Sequence, residues 1–257
     1  MIKHPKTLVS YRFLNLQVRV IQIMTDLTAS RQQVLSQIKN ICRDCGISDD
    51  KVTLLAVSKT QPAAVIRAMY GAGQRIFAEN YLQEALSKQA DLTDLDIEWH
   101  FIGQIQRNKT RDLAAHFAWI HGVDRLIIAQ RLSQHLAELT EKTSAAPSPL
   151  NICIQVNIDR EESKAGCLPE DLADLVAQIG DLPHLVLRGI MVIPEVNHQD
   201  AFVRARALFE SVRAKPAAPK CWDTLSMGMS GDFADAIAAG STMIRVGTAL
   251  FGARVYS

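Results

Sequence analysis

A lysine stands two residues beyond a short apolar run of the kind that forms buried strands. In the stretch LLAVSKTQP, residues 54–62, Lys59 follows the apolar run and precedes a turn. Most lysines at strand ends are solvated surface residues, and this stretch alone is compatible with that interpretation. A half-buried amine could instead react with an aldehyde, because desolvation favours its neutral, nucleophilic form. The rest of the chain must separate these two alternatives.

A second group of candidates consists of small and hydroxylated residues near the carboxyl end of the chain. The stretch LSMGMSGDF contains Ser226 and Ser230, and RVGT contains Gly247 and Thr248. Glycine lets backbone N–H groups approach an anion closely, so these two loops could bind a phosphate. Ordinary turn and capping chemistry explains the first loop equally well. It explains RVGT less well, because no helix start is obvious after it.

An arginine lies in the predicted strand that precedes RVGT. Arg245 shares one face of that strand with Met243, so the pattern does not decide between an outward and a buried position. A buried arginine near a phosphate site would offer a fixed, permanently charged donor to a ring nitrogen or an oxyanion. Its role therefore depends on which way the strand faces.

Strand-like and helix-like segments alternate along nearly the whole chain, and this alternation positions the candidates. Helical periodicity begins near Thr28 and ends at Gly46. Beyond it, strand candidates lie near 53–57, 75–77, 98–101, 118–121, 152–156, 186–190, 223–225 and 243–246. Eight strands separated by helices in about 230 residues predict an α/β fold, a parallel (β/α)8 TIM barrel. A doubly wound open sheet is the alternative.

In such a barrel, functional residues collect at the carboxyl ends of the strands. Strands 1 and 8 become neighbours when the barrel closes, so Lys59 and the loop that contains Gly247 would lie side by side. A ligand with an aldehyde at one end and a phosphate at the other would span these positions. Pyridoxal 5′-phosphate is such a ligand.

The composition argues against several other classes of protein. Lys+Arg 28 against Asp+Glu 27 leaves a formal net charge of +1, which argues against nucleic-acid binding. No apolar run approaches the roughly 20 residues of a membrane span. The five cysteines are scattered, which fits reduced thiols in a cytoplasm better than a disulfide framework. Cys42 and Cys45 form a CxxC pair without a second ligand pair, so no metal site is predicted.

The first 23 residues are basic and contain no acidic residue. They lack the long apolar core and the small-residue cleavage site of a signal peptide, although a basic targeting segment is an alternative. Met24 is followed by a fresh helix start. We therefore expect residues 1–23 to be an extension outside the fold, read from an upstream start, and residues 24–257 to form one barrel domain.

Four stretches resemble the pyridoxal phosphate homeostasis proteins, a family of small barrels that bind pyridoxal 5′-phosphate (PLP). They are AVSKTQP, FAENYLQEA, EWHFIGQIQRNK and LSMGMSGDFADAIAAGSTMIRVGTALFGAR. The resemblance runs from about Thr28 to the end of the chain. It implies an alanine-racemase-like barrel, fold type III among PLP proteins, and a cofactor-binding site without catalytic residues.

The resemblance also implies roles for individual residues. Lys59 would carry PLP as a Schiff base, and Ser226 or Ser230 would hold the phosphate together with Gly247 and Thr248. The remaining cofactor-binding residues that it implies are Asn80, close to the ring, and Arg245, facing the pyridine nitrogen. An arginine there leaves the nitrogen mostly unprotonated, which makes the cofactor a poorer electron sink.

Three functions compete on this basis. The resemblance implies a PLP-binding protein of intracellular vitamin B6 homeostasis, without catalytic turnover, that passes PLP to PLP-requiring apo-enzymes. We expect it to be a cytoplasmic monomer that binds neither nucleic acid nor membrane. A PLP-dependent amino-acid racemase is the alternative, and a lysine aldolase acting on a phosphorylated sugar is the third hypothesis.

Length and side-chain chemistry separate the three. Fold type III racemases add a β domain after the barrel, whereas this chain stops at FGARVYS, so we expect no such domain. Racemisation needs proton transfer on both faces of the cofactor, and Lys59 provides for only one. The aldolase is disfavoured because Glu79 is the single acid expected beside Lys59.

Overall fold

A computed structural model describes residues 6–143, 148–195 and 200–253 of the chain. The strands are β1 (Thr53–Val57), β2 (Ile76–Glu79), β3 (Glu98–Phe101), β4 (Trp119–Val123), β5 (Leu150–Val156), β6 (Leu185–Val192), β7 (Thr224–Ser226) and β8 (Met243–Val246). All of them pair in parallel and in chain order, and β1 pairs with β8, which closes the barrel. The predicted TIM barrel is confirmed, and the open sheet is excluded.

Helices connect the strands and cover the outside of the barrel. They are α1 (Lys6–Asp44), α2 (Ala63–Gly71), α3 (Leu82–Asp91), α4 (Thr110–His116), α5 (Leu126–Thr143), α6 (Leu172–Ile179), α7 (Ala201–Arg213), α8 (Phe233–Ala238) and α9 (Thr248–Phe251). No helix in these described ranges combines the length and the apolar character that crossing a membrane requires.

Two helices depart from the sequence-based expectations. The helix expected to begin near Thr28 begins at Lys6, because residues 6–27 contain neither proline nor glycine to end it. That residues 1–23 lie outside the fold stays a prediction, and residues 1–5 lie outside the described residues. The expectation that no helix follows RVGT is wrong, since α9 begins at Thr248. One turn is too short to show a helical period.

Alternation along the strands divides the apolar core into an inner and an outer part. The barrel interior contains Leu55, Val57, Ala78, Ile102, Trp119, Cys153, Met191 and Met243. The outward residues of the strands pack under the helices, where α1 contributes Val34 and Ile38. Because side chains alternate between the two faces, Arg245 lies on the inner face together with Met243. Of the two positions that the sequence left open for Arg245, outward or buried, the structure shows the buried one.

The described cysteines all carry thiols that form no disulfide. Cys42 is buried in α1, and Cys45 is exposed just beyond its end. Within the described ranges, no three His, Cys, Asp or Glu side chains gather as a metal site would require.

Candidate functional site

A cavity of about 260 Å³ opens at the carboxyl ends of the strands. Of the predicted site residues, it brings together Lys59, Asn80, Ser230, Arg245, Gly247 and Thr248. Ser226 does not line it. The cavity therefore gathers residues from the two ends of the chain, as expected from the pairing of β1 with β8.

A buried charged cluster holds the chain on the amino side of Lys59. The Lys88 ammonium on α3 donates to the Ser58 carbonyl oxygen at 2.8 Å and to Glu79 Oε1 at 2.7 Å. Ser58 Oγ donates to the same Glu79 oxygen at 2.6 Å. Burial raises the pKa of Glu79, and the hydrogen bonds from Lys88 and Ser58 oppose that shift. Three groups from three elements thus converge beside Lys59.

The same cluster holds the backbone on the carboxyl side of Lys59. Thr60 has a φ of 67°, a left-handed conformation that β-branched residues rarely adopt. Its N–H donates to Glu84 Oε1 at 2.5 Å, and Glu84 pairs with the Lys88 ammonium at 2.5 Å. We call this group of residues the Lys88 cluster: Ser58, Thr60, Glu79, Glu84 and Lys88. It fixes the backbone on both sides of Lys59, and such strain is characteristic of functional positions.

The opposite side of the cavity is built from backbone N–H groups and a hydroxyl. Ser230 Oγ accepts from the N–H groups of Gly247 and Ala249, each at 3.3 Å. Thr248, which lies between them, is exposed. Converging backbone N–H groups and hydroxyls make a concave site for an oxyanion. We call these four residues the Ser230 corner.

Arg245 is held by its guanidinium beneath the cavity and is only 4% exposed. Its Nη1 donates to Ser226 Oγ at 2.9 Å, and its Nη2 donates to the Val192 carbonyl oxygen at 2.9 Å. Burial lowers the pKa of Arg245 to about 10, so it is charged at neutral pH. Ser226 is fully buried below Arg245, so the geometry offers Ser230, and not Ser226, as the serine that can hold a phosphate.

Asn80 presents an unsatisfied polar atom between two cavities. Its Oδ1 is buried and has no hydrogen-bond partner among the described residues. Asn80 also lines an adjoining cavity of about 270 Å³. A Cβ at Gly103 would lie 2.0 Å from the Asn80 carbonyl oxygen, so only glycine permits this close approach of the backbone. A buried acceptor without a donor is costly, and a ligand that donates here would remove that cost.

Sequence reasoning missed several residues of the cavity. Gln61, Ile193, Met229 and Phe251 also line it, and both Ile193 and Met229 are exposed apolar side chains. Their positions in the sequence could have identified them, because each follows the end of a strand, where functional residues of a barrel collect. The Lys88 cluster had a weaker signal, the spacing of four residues between Glu84 and Lys88 on α3.

The closed parallel barrel is shared with proteins of the alanine-racemase type. The family model for the N-terminal domain of alanine racemase matches residues 31–255. An alanine racemase from Corynebacterium glutamicum has the same fold, with a TM-score of 0.65 and 14% identity over 90% of this chain and 62% of that one.

Sequence relatives define the family more closely. The chain is 49% identical to the pyridoxal phosphate homeostasis protein of Pseudomonas aeruginosa, over 91% of this chain and 98% of that protein. It is 46% identical to the protein of the same name from Escherichia coli, over 91% of this chain and 99% of that protein. This chain belongs to the pyridoxal phosphate homeostasis protein family.

A solved structure of similar sequence carries a ligand. PipY of Synechococcus elongatus, determined with PLP bound, is 42% identical and matches with a TM-score of 0.69. The match covers 79% of this chain and 93% of that one. The same protein without PLP matches with a TM-score of 0.72 over the same shares of both chains.

Proposed function

We propose that this chain binds PLP in the 260 Å³ cavity and acts in PLP homeostasis without catalytic turnover. The main supporting observation is that one cavity is lined both by Lys59 and by Ser230, Gly247 and Thr248 of the Ser230 corner. The printed names of the relatives and the PLP bound to PipY support the same ligand.

The residues of the cavity fit the chemical groups of PLP. When bound, PLP supplies an aldehyde that forms a Schiff base with a lysine amine. Lys59 is the lysine of the cavity, and the Ser230 corner provides donors for a phosphate. Arg245 offers N–H groups to the pyridine nitrogen, and Asn80 has an unsatisfied oxygen for a polar group on the ring. Each end of the ligand therefore meets a group of the right kind.

The lining of the cavity supports binding without turnover. Arg245 only donates, so it favours an unprotonated pyridine nitrogen and a poor electron sink. Racemisation needs an acid or base on each face of the cofactor. The described lining includes Lys59 but no tyrosine, cysteine, histidine or carboxylate. The same lack of an acid disfavours a lysine aldolase.

We further propose that PLP-requiring apo-enzymes receive the cofactor from this chain. A cytoplasmic location and a monomeric state stay predictions, and the free thiols favour the first of them. Sedimentation of the purified protein with and without PLP tests the monomer directly.

Covalent capture tests the proposed site. The protein is mixed with PLP, reduced with borohydride and mapped by mass spectrometry. We expect one modified lysine, Lys59, and no modification of this site in Lys59→Ala. Lys164→Ala is the matched control, because Lys164 lines only the adjoining cavity. Modification distributed over surface lysines with equal yield in Lys59→Ala would overturn the site.

Incubation with single enantiomers of amino acids tests the proposed absence of turnover. We expect D- and L-alanine to keep their optical activity in the presence of the PLP-loaded protein. Catalytic loss of optical activity that requires Lys59 would instead establish the racemase.

A further inference from the structure

A line of polar side chains runs through the barrel interior from the buried Arg245 to Glu98 at the start of β3. Ser226 Oγ, which accepts from Arg245 Nη1 at 2.9 Å, lies 3.3 Å from His121 Nδ1. His121 Nε2 lies 2.9 Å from His100 Nδ1, and His100 Nε2 lies 2.7 Å from Glu98 Oε1. The serine and both histidines are fully buried, whereas Glu98 is partly exposed at the start of β3. We call these five residues the Glu98–Arg245 chain.

The chemistry of its end groups sets the direction in which the hydrogen bonds of the Glu98–Arg245 chain run. An ionised Glu98 only accepts, so His100 must carry its proton on Nε2, and its Nδ1 must then accept. His121 must therefore carry its proton on Nε2 and accept at Nδ1. From the other end, Arg245 only donates, so Ser226 accepts from it and can turn its own hydroxyl toward His121. The Arg245 end is compatible with the tautomers that an ionised Glu98 requires, and with these tautomers no hydrogen bond of the Glu98–Arg245 chain joins two donors or two acceptors.

The charge states agree with this direction. Burial lowers the pKa of His100 and lowers that of His121 well below its usual value, so both imidazoles are neutral at neutral pH. The hydrogen bond from His100 lowers the pKa of Glu98, which keeps it ionised. The chain thus has a negative charge at one end, a positive charge at the other and neutral groups between them.

Other ionisable and polar groups border the chain without interrupting it. Trp119 stacks on His100 with ring centroids 5.1 Å apart, and its indole contributes to the lowered pKa of Glu98. Arg188 lies 4.6 Å over the Trp119 ring and is paired with Asp223. The other ionisable groups that act on Arg245 are Cys153, whose pKa burial raises to about 12, and Asp232.

We propose that Glu98, His100 and His121 are positioning residues for Arg245. The Glu98–Arg245 chain holds the guanidinium through Nη1 and so fixes the direction in which its remaining N–H groups, which can only donate, face the cavity. The ligand atom that Arg245 recognises must then be an acceptor without a proton, such as an unprotonated ring nitrogen. The proposal rests on the PLP site above for the identity of that ring, and on the chain's own geometry for the tautomers.

The ligand-free protein provides the first test. Nitrogen NMR of ¹⁵N-histidine-labelled protein distinguishes the two tautomers and the cation, and His100→Gln and His121→Gln assign the signals. At pH 7 we expect both histidines as neutral Nε2–H tautomers. A proton on Nδ1 of either ring, or a cationic ring, would contradict the inferred direction of the hydrogen bonds in the Glu98–Arg245 chain. This result does not depend on PLP.

Glu98→Gln tests the positioning role, because it removes the charge and lets the end group donate as well as accept. We expect a mixture of tautomers at His100 and about a tenfold weaker affinity for PLP, the loss of one charge-assisted hydrogen bond. We also expect the absorbance of bound PLP to titrate at higher pH, because the ring nitrogen becomes easier to protonate. Glu170→Gln, on an exposed carboxylate paired with Arg160, is the control and should change neither property.

The outcomes separate the two proposals. Mixed tautomers in Glu98→Gln with unchanged affinity and an unchanged pH profile would leave the chain structural and overturn the positioning role. Failure of the unsubstituted protein to bind PLP would overturn the proposed function. The histidine tautomers of the ligand-free protein would still show in which direction the hydrogen bonds of the Glu98–Arg245 chain run. If Glu98→Gln does not fold, the pH profile of His121→Gln provides the same comparison.

Discussion

Two polar networks lie beside the cavity, and they hold Lys59 and Arg245 in opposite ways. The Lys88 cluster contacts the backbone on both sides of Lys59. The Glu98–Arg245 chain instead contacts the guanidinium of Arg245 itself. A network that fixes the backbone suits a side chain that must form and release a bond. A network that fixes the side chain suits one that must only donate in a constant direction.

The two networks also differ in where they keep their charges. The Lys88 cluster buries an ammonium directly against the Glu79 carboxylate. The Glu98–Arg245 chain separates its opposite charges by two neutral imidazoles and a hydroxyl. Removing a partner from the first network leaves a charge buried without compensation, whereas a change in the second reorients hydrogen bonds. We therefore expect substitutions in the first to reduce stability most and substitutions in the second to alter ligand binding.

The largest expected effect is that of Lys88→Met. The variant leaves Glu79 buried with only the Ser58 hydroxyl as a partner, and breaking a buried pair in this way costs about 3–5 kcal/mol. Urea denaturation at pH 7 measures the free energy of unfolding. The double variant Lys88→Met, Glu79→Gln should recover part of the lost free energy of unfolding, because the second substitution removes the uncompensated charge.

A surface pair provides the control for Lys88→Met. Arg67 and Asp94 form an exposed ion pair between α2 and the loop after α3. Arg67→Met should change the free energy of unfolding little, since exposed pairs are screened by water. If Lys88→Met and Arg67→Met have equal effects, burial is not what makes the Lys88 cluster important.

Acid should weaken the fold through the other network. His100 and His121 have lowered pKa values in the folded state, so below about pH 6.5 the unfolded chain binds more protons than the folded one. Stability is therefore full above that pH and is lost as the pH falls. Each histidine that stays neutral contributes a loss of about 1.4 kcal/mol per pH unit.

Urea denaturation between pH 7.5 and pH 5.5 measures this loss. His121→Gln should flatten the acid dependence by removing one of the two titrations. His116→Gln, on an exposed histidine at the end of α4, should leave the dependence unchanged. An acid dependence that His121→Gln leaves intact would show that His121 does not contribute to it.

Two serines distinguish the Ser230 corner from the Glu98–Arg245 chain. Ser230→Ala removes the acceptor of two backbone N–H groups at the cavity, and we expect PLP to bind about tenfold more weakly. Inorganic phosphate should then compete less well for the cavity. Ser226→Ala should leave phosphate competition intact and change the pH dependence of bound PLP, since Ser226 contacts Arg245 and His121 and does not line the cavity. Equal loss of phosphate competition in both variants would contradict this division.

The serines also show what the sequence could and could not predict. Alternation of strands and helices predicts the barrel, and strand ends predict Lys59 at the cavity, because both depend on local patterns. Ser226 and Ser230 lie in one motif, and only the closed barrel shows that the first points into the interior and the second lines the cavity. The histidine pair joins β3 to β4, and a one-strand pattern contains no information about such a contact.

The smallest expected effect is that of Thr60→Gly, which tests how tightly the Lys88 cluster must hold the backbone. Glycine relieves the strain of a positive φ, and the greater freedom of the unfolded chain offsets most of that gain, so stability should change by less than about 1 kcal/mol. His184→Gly is the matched control, because His184 has a φ of 64° just before β6, at the amino ends of the strands. Its effect on stability should be similar. Borohydride capture of PLP at Lys59 should fall a fewfold in Thr60→Gly and not in His184→Gly, because Thr60 is adjacent to Lys59 whereas His184 lies at the opposite end of the barrel. Equal capture by both variants would mean that the cluster stabilises the barrel without preparing Lys59 for its ligand.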